Sequence, residues 1–266
     1  MIPNRLTNLL MVLTVTAIPL SARADCRYWP SAAAATLPCE WSAANVSAAS
    51  GEGLRVVSYN VHYGEDVAGI ARALAENPGT RDADVLLLQE IESYPGDRRP
   101  ERLGRRLGRY AVYAPARTKG RGTHGIAILS RYPLRDVEVQ ALPQFELGWG
   151  TRQRIALAAT ADWNGIDVRL VNVHLDTRLT RDQRFRQIRP VLDRAASYER
   201  VVIGGDMNTI SCVNALLPGI PVLVPGLSQG PAFDAFMAGE GYATPFRRIG
   251  GTGPLHSGWT ASSPGA

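Results

Sequence analysis

Four apolar runs in this chain each end on a polar group: Val56-Val57-Ser58-Tyr59-Asn60, Leu86-Leu87-Leu88-Gln89-Glu90, Val171-Asn172-Val173-His174 and Val202-Ile203-Gly204-Gly205-Asp206-Met207-Asn208. Side chains alternate along a strand, so Asn172 and His174 share a face, as do Asp206 and Asn208 if their strand continues that far. Polar groups that emerge together at the ends of buried strands are where α/β folds gather ligands. The set is rich in oxygen donors and lacks thiolates, which suits Mg2+ or Mn2+ rather than zinc. A cation with few protein ligands and open positions suits phosphate chemistry. Taken singly, each residue has a plain explanation. Asp206 and Asn208 are ordinary turn formers, Asn60 can cap a turn, Glu90 can end a strand in solvent, and His174 can be a satisfied core histidine. The likeness of the four contexts argues instead for one site.

The elements that would position these groups alternate from Leu54 onward. Residues 54–61 and 84–90 form strands, the second apolar enough to be buried on both faces. Between them Val67, Ile70, Ala71 and Leu74 keep helical spacing until Pro78. An Arg-rich helix is predicted over 97–108. Strands follow in "YAVYAP", "GIAILSRYPL", "DVEVQAL", "RIALAATADW" and "IDVRLVNVHLD", the last two joined by an Asn164-Gly165 hairpin turn. Thr180 and Gln183 make a capping-box pattern for a helix carrying Phe185, Ile188, Leu192 and Ala195, with a kink expected at Pro190. A strand at 200–208 and a short helix at 233–239 complete one α/β domain with a large antiparallel component.

The N-terminus reads differently. Arg5, an apolar run from Leu9 to Leu20, and Ala22-Arg23-Ala24 make a signal peptide, residues 1–24, cut near Ala24. The run is too short to span a bilayer. A secreted or periplasmic protein is therefore expected. In an oxidising compartment Cys26 and Cys39 could pair, which leaves Cys212 odd; Cys39 with Cys212 is the alternative. Residues 25–52 read as an Ala/Ser-rich lead-in, and residues 53–266 as the domain. The net charge of +5 falls to +3 without Arg5 and Arg23. Basic character of this size is compatible with nucleic acid or anionic lipid and does not choose between them.

"SYN", "LLLQE", "HGIAILSRYPL", "VNVHLD" and "GGDMNT", in this order, resemble the endonuclease/exonuclease/phosphatase superfamily, which has the pancreatic-deoxyribonuclease-like fold. The resemblance covers roughly Leu54 to Trp259. It implies a four-layer sandwich of two mixed, largely antiparallel sheets flanked by helices, and a divalent-metal-dependent phosphoester hydrolase acting as a monomer. By motif, Glu90 is the implied Mg2+ (or Mn2+) ligand with Asn60 beside it. His174 would donate a hydrogen bond to a phosphoryl oxygen, Asp206 would orient or deprotonate the attacking water, and Asn208 would hold the phosphate or metal shell. Asn172 would support that shell. Arg184 and Gln187 would either reach the substrate or lie on a solvated helix face.

The same resemblance implies further strands and a Ser-Asp-His ending after Trp259. The tail "GTGPLHSGWTASSPGA" carries neither, and His256 lacks the acidic neighbour of that motif. The sheet is therefore expected to lack its C-terminal strands and to show an open edge. A truncated or degenerate member that binds metal or phosphate without turnover is the alternative function. Nuclease, phospholipase and phosphatase activities all remain open. The substrate is a phosphate ester, with nucleic acid and a phospholipid head group both compatible. The basic, Gly-rich "ARTKGRGTHG" (residues 116–125) would either contact phosphate or form a hairpin.

Overall fold

The computed structural model describes residues 26–29, 39–42, 53–146, 152–209, 229–243 and 261–262. Their core strands are β3 (Val56–Tyr63), β4 (Val85–Tyr94), β6 (Tyr110–Lys119), β7 (Gly122–Ser130), β8 (Leu134–Ala141), β9 (Ile155–Trp163), β10 (Ile166–His174) and β11 (Val201–Asp206). The shorter strands are β1 (Arg27–Trp29), β2 (Glu40–Ser42), β5 (Asp97–Arg98) and β12 (Ala261–Ser262). Four helices accompany them: α1 (Val67–Glu76), α2 (Arg99–Leu107), α3 (Arg181–Ala195) and α4 (Gly230–Gly239). One sheet runs β1-β8-β9-β10-β11-β12; the other runs β2-β6-β7-β4-β3, with β5 added beside β4. Each is mixed: β1/β8, β10/β11 and β3/β4 are parallel and the other pairs antiparallel.

Alternation along the strands explains why the sheets stack in four layers. Val85 and Leu87 of β4 join Val112, Ile128, Leu157 and Leu170 in a cluster between the sheets. The intervening Leu86 and Leu88 join Val67, Leu74 and Leu103 beneath α1 and α2. On β10, Val171 and Val173 pack outward against Ile188, Val191 and Leu192 of α3. The order is therefore helix, sheet, sheet, helix, and the apolar run in β4 is buried on both faces as its composition predicts.

Local signals account for the connections. Asn164 and Gly165 both adopt positive φ between β9 and β10, as a two-residue hairpin turn requires. Thr180 accepts from the Gln183 backbone N–H, and Gln183 returns a side-chain bond, so the capping box is formed. Pro190 lies inside α3, which continues to Ala195. The stretch "GIAILSRYPL" is not one strand: β7 ends at Ser130, whose Oγ accepts from the Tyr132 N–H, and β8 begins at Leu134.

Within residues 25–52 the described strands β1 and β2 each extend a sheet, β1 beside β8 and β2 beside β6. Cys26, Cys39 and Trp41 pack against the cluster between the sheets, which gives this segment an apolar reason to dock. The edge of β11 is also not wholly open, since Val202 and Ile203 pair with Ser262 and Ala261. Free backbone donors and acceptors on an edge strand recruit such partners. Cys212 and His256 lie outside the described residues.

Candidate active site

The centre of the site is built from parallel pairing. His174 and Asp206 are direct register partners on β10 and β11. His174 Nε2 lies 3.8 Å from Asp206 Oδ2 and 3.9 Å from Glu90 Oε1. Asn60, where β3 loses its regular register with β4, donates through Nδ2 to Asp206 Oδ2 at 3.1 Å. All four polar strand ends thus converge on one place. Gly205 makes the close approach possible: its φ is +142°, and a Cβ there would lie 1.9 Å from the Val173 carbonyl oxygen.

A β-bulge brings Glu90 into this group. Leu88 pairs with Ala127 and Ile91 with Gly125, so Gln89 and Glu90 together oppose Ile126. Simple alternation would send Glu90 to the helix-covered face with Leu86 and Leu88. The extra residue instead turns it toward His174, at a φ of +58° that an L-residue adopts only at a cost. Ile91 then resumes the place under the helices. Gln89 stays between the sheets and donates through Nε2 to Asn172 Oδ1 at 2.7 Å. Asn172, fully buried, in turn donates to the carbonyls of Leu88 and Ala127, both at 2.9 Å. Asn172 therefore spans the two sheets directly behind the bulge.

Asn208 does not extend β11, which ends at Asp206. Its backbone turns to a φ of +49°, its N–H donates to Asp206 Oδ1 at 3.0 Å, and its Nδ2 donates to the Leu175 carbonyl at 2.8 Å. Turn formation and orientation of Asp206 are one arrangement here. Arg184 and Gln187 are on neither a solvated face nor the cleft wall; both are buried. Arg184 donates to the carbonyls of Asp176, Met207 and Leu179 and to Gln229. Gln187 accepts from the Asp176 N–H and donates to the Pro143 carbonyl. They fasten the loops that follow β10 and β11.

An open cleft of about 490 Å³ lies over this centre, lined by Glu90 and His174 together with Tyr63, His124, Arg117, Arg152 and Arg154. Tyr63, Arg152 and Arg154 carry no motif in the sequence, while Arg117 and His124 fall within the basic stretch 116–125. Arg154 is 8% exposed, and its Nε has no hydrogen-bond partner among the described residues. Burial lowers its pKa, while Asp176, Glu90 and Asp206 act in the opposite direction. Its sequence context, "RQRIALAAT", looks like the polar approach to a strand. Arg117 enters from the stem of the β6–β7 hairpin, opposite His124. "ARTKGRGTHG" is thus a hairpin whose stem carries a cleft residue.

Burial lowers the His124 pKa to about 4, with help from Arg117. Its Nδ1 is buried with no hydrogen-bond partner among the described residues, 3.6 Å from Glu92 Oε1. Glu92 is itself buried, held by Tyr94, Arg99 and Lys119. Burial also drives the His174 pKa well below its ordinary value, reinforced by Arg154. For Asp206, burial raises the pKa above the ordinary carboxylate value. The centre therefore combines neutral imidazoles with a carboxylate of increased basicity.

The donor set suits a hard cation. Glu90 and Asn60 offer oxygens, and no donor among the described residues reaches hydrogen-bond distance of the Glu90 carboxylate. No group of three or more His, Cys, Asp or Glu side chains suited to closing around a metal occurs among these residues. One carboxylate, an amide oxygen and water are a coordination set that Mg2+ accepts.

Two mixed sheets packed face to face between helices, with a polar cleft at the strand ends, define an α/β sandwich. Residues 57–213, more than half of the chain, match the profile of the Endonuclease/Exonuclease/phosphatase family, and the chain belongs to that family. Solved structures with this fold include an endonuclease/exonuclease/phosphatase from Beutenbergia cavernae, at 21% identity and a TM-score of 0.58. That match covers 79% of this chain and 64% of the other. The human Nocturnin catalytic domain with bound sulfate anion matches at 16% identity and TM-score 0.55, over 79% of this chain and 81% of its own. A hairpin-deletion mutant of beta toxin from Staphylococcus aureus matches at 17% and 0.53, over 80% and 88%. No curated protein sequence matches the chain.

Proposed function

We propose that this protein is an exported, Mg2+- or Mn2+-dependent hydrolase of phosphate esters, with its reaction centre at Glu90, His174 and Asp206. The observation that carries the reading is the convergence of His174 Nε2 on both carboxylates, 3.9 Å from Glu90 and 3.8 Å from Asp206. Family membership supports phosphoester hydrolysis in general. The N-terminal apolar run and the Ala22-Arg23-Ala24 cleavage pattern support export. No helix among the described residues is long and apolar enough to cross a membrane.

In this reading Glu90 and Asn60 hold the cation, which when bound supplies stabilisation of negative charge on the phosphate. His174 is neutral at physiological pH and donates a hydrogen bond to a phosphoryl oxygen, while Arg154 binds another from the floor of the cleft. Asp206 takes a proton from the attacking water as its oxygen bonds to phosphorus. The bond from phosphorus to the leaving oxygen breaks, and that oxygen is protonated from solvent. The raised pKa of Asp206 makes it a stronger base than an exposed carboxylate. Asn60 and Asn208 fix its two oxygens through hydrogen bonds.

The test is hydrolysis of bis(4-nitrophenyl) phosphate by the full chain in Mg2+. Asp206→Asn keeps the side-chain shape and removes the base, so its rate should fall about 10²- to 10⁴-fold. An unchanged rate in that variant would contradict the assignment.

A further inference from the structure

We infer that Arg117 and Arg152 form a second anion subsite at the mouth of the cleft, which takes a phosphate group neighbouring the one that is hydrolysed. The inference rests on the phosphoesterase reading and deepens it, by stating that the substrate carries at least two adjacent phosphates.

The charge balance of the cleft points to this. Three guanidiniums line it, from Arg117, Arg152 and Arg154, against one carboxylate, Glu90. None of the three has a carboxylate within 4.0 Å among the described residues, although many other arginines of the chain do. The guanidiniums differ in their surroundings. Arg154 is buried beside His174, with Asp176, Glu90 and Asp206 near enough to offset its charge. Arg117 and Arg152 lie further out, on walls contributed by opposite sheets: Arg117 on β6, and Arg152 three residues before β9. Arg152 raises the cost of charge on Arg154, and Arg117 does the same for both cleft histidines.

Like charges held together without a counter-charge mark a place where an anion completes the structure. A single phosphoryl group beside His174 and Arg154 leaves two guanidiniums at the mouth unused. Each presents a planar fork that matches phosphate oxygens in pairs. A second phosphate, one ester or anhydride link away, would meet them. Both the backbone of a nucleic-acid strand and a polyphosphorylated small molecule have this chemistry.

Calorimetric titration of the full chain in chelator-treated buffer, with inorganic pyrophosphate and orthophosphate as probes, tests the inference without turnover. Pyrophosphate should bind at least about tenfold more tightly than orthophosphate, a difference expected from added charge-assisted bonds. Arg117→Gln and Arg152→Gln should each remove most of that advantage and leave orthophosphate affinity intact. Arg154→Gln should weaken both ligands. Equal affinity for the two ligands in the native protein, or an advantage that survives in Arg117→Gln and Arg152→Gln, would overturn the second subsite. A tetrathymidylate arm separates the sources. Affinity above that of pyrophosphate, lost in the same two variants, assigns the second phosphate to a nucleic-acid backbone; affinity below it assigns a polyphosphorylated small molecule. The two readings fail separately. Mg2+-dependent hydrolysis with no pyrophosphate preference removes the subsite alone, and a pyrophosphate preference with hydrolysis unaffected by Asp206→Asn removes the catalytic assignment.

Discussion

His174 and Asp206 face each other across the parallel pair β10 and β11, with Nε2 and Oδ2 3.8 Å apart. Backbone pairing sets this relationship, and Gly205 permits it by leaving no Cβ against the Val173 carbonyl. Groups carried on paired strands keep their separation better than groups on loops. Gly205 should therefore tolerate little change. Gly205→Ala should destabilise the protein by more than about 2 kcal/mol in urea unfolding, since an L-residue at this φ meets backbone atoms.

Glu90 sits in a left-handed conformation, which ordinarily favours glycine. Glu90→Gly should abolish metal-dependent hydrolysis while leaving unfolding free energy within about 1 kcal/mol of the native value, because relief of backbone strain offsets the added freedom of the unfolded chain. A loss of several kcal/mol would mean that Glu90 holds the fold rather than the reaction.

Asn172 makes three hydrogen bonds across the space between the sheets. Asn172→Ala removes one of the three acceptors of the Gln89 amide and takes a donor from the buried Leu88 and Ala127 carbonyls. Urea unfolding should show a loss of about 2–4 kcal/mol, typical of a buried polar group left without partners. If activity fell with no change in stability, Asn172 would instead touch substrate.

The two cleft histidines predict an acid-sensitive fold. His124 is lowered to about 4, and His174 lies well below its ordinary value, both chiefly through burial. The unfolded chain therefore binds more protons than the folded one as pH falls below about 6.5. Their contribution is complete above that pH and is lost toward pH 4, on the order of 3 kcal/mol for His124. His124→Gln should flatten the pH dependence of the urea midpoint over this interval. A midpoint that is constant with pH in the native protein would contradict the buried, neutral state.

Strand alternation made much of this legible from sequence. The apolar residues of β4 divide between two clusters as their positions predict, and the common face of Asn172 and His174 follows from period two alone. The bulge at Glu90 was not legible, because "LLLQEIES" scans as an unbroken strand while one added residue reverses which face Glu90 takes. Arg154 was hidden for a different reason: an arginine before an apolar run signals a strand entrance, and only the fold brings it into the cleft with His174. Arg184 and Gln187 appear polar on a helical wheel, yet their bonds go to loop carbonyls and a loop N–H that period cannot reveal. The short strands β1 and β2 lack any alternation long enough to detect and depend on partners far along the chain.

The proposed reaction depends on the Glu90 carboxylate holding the cation. Its most direct test is the rate of bis(4-nitrophenyl) phosphate hydrolysis by the full chain as Mg2+ is titrated, with Glu90→Ala measured in parallel. Saturable Mg2+-dependent turnover is expected in the native protein, and a loss of at least about 10²-fold in the variant at every Mg2+ concentration. Equal rates for the two proteins, or turnover that persists undiminished after the cation is removed by chelation, would contradict it.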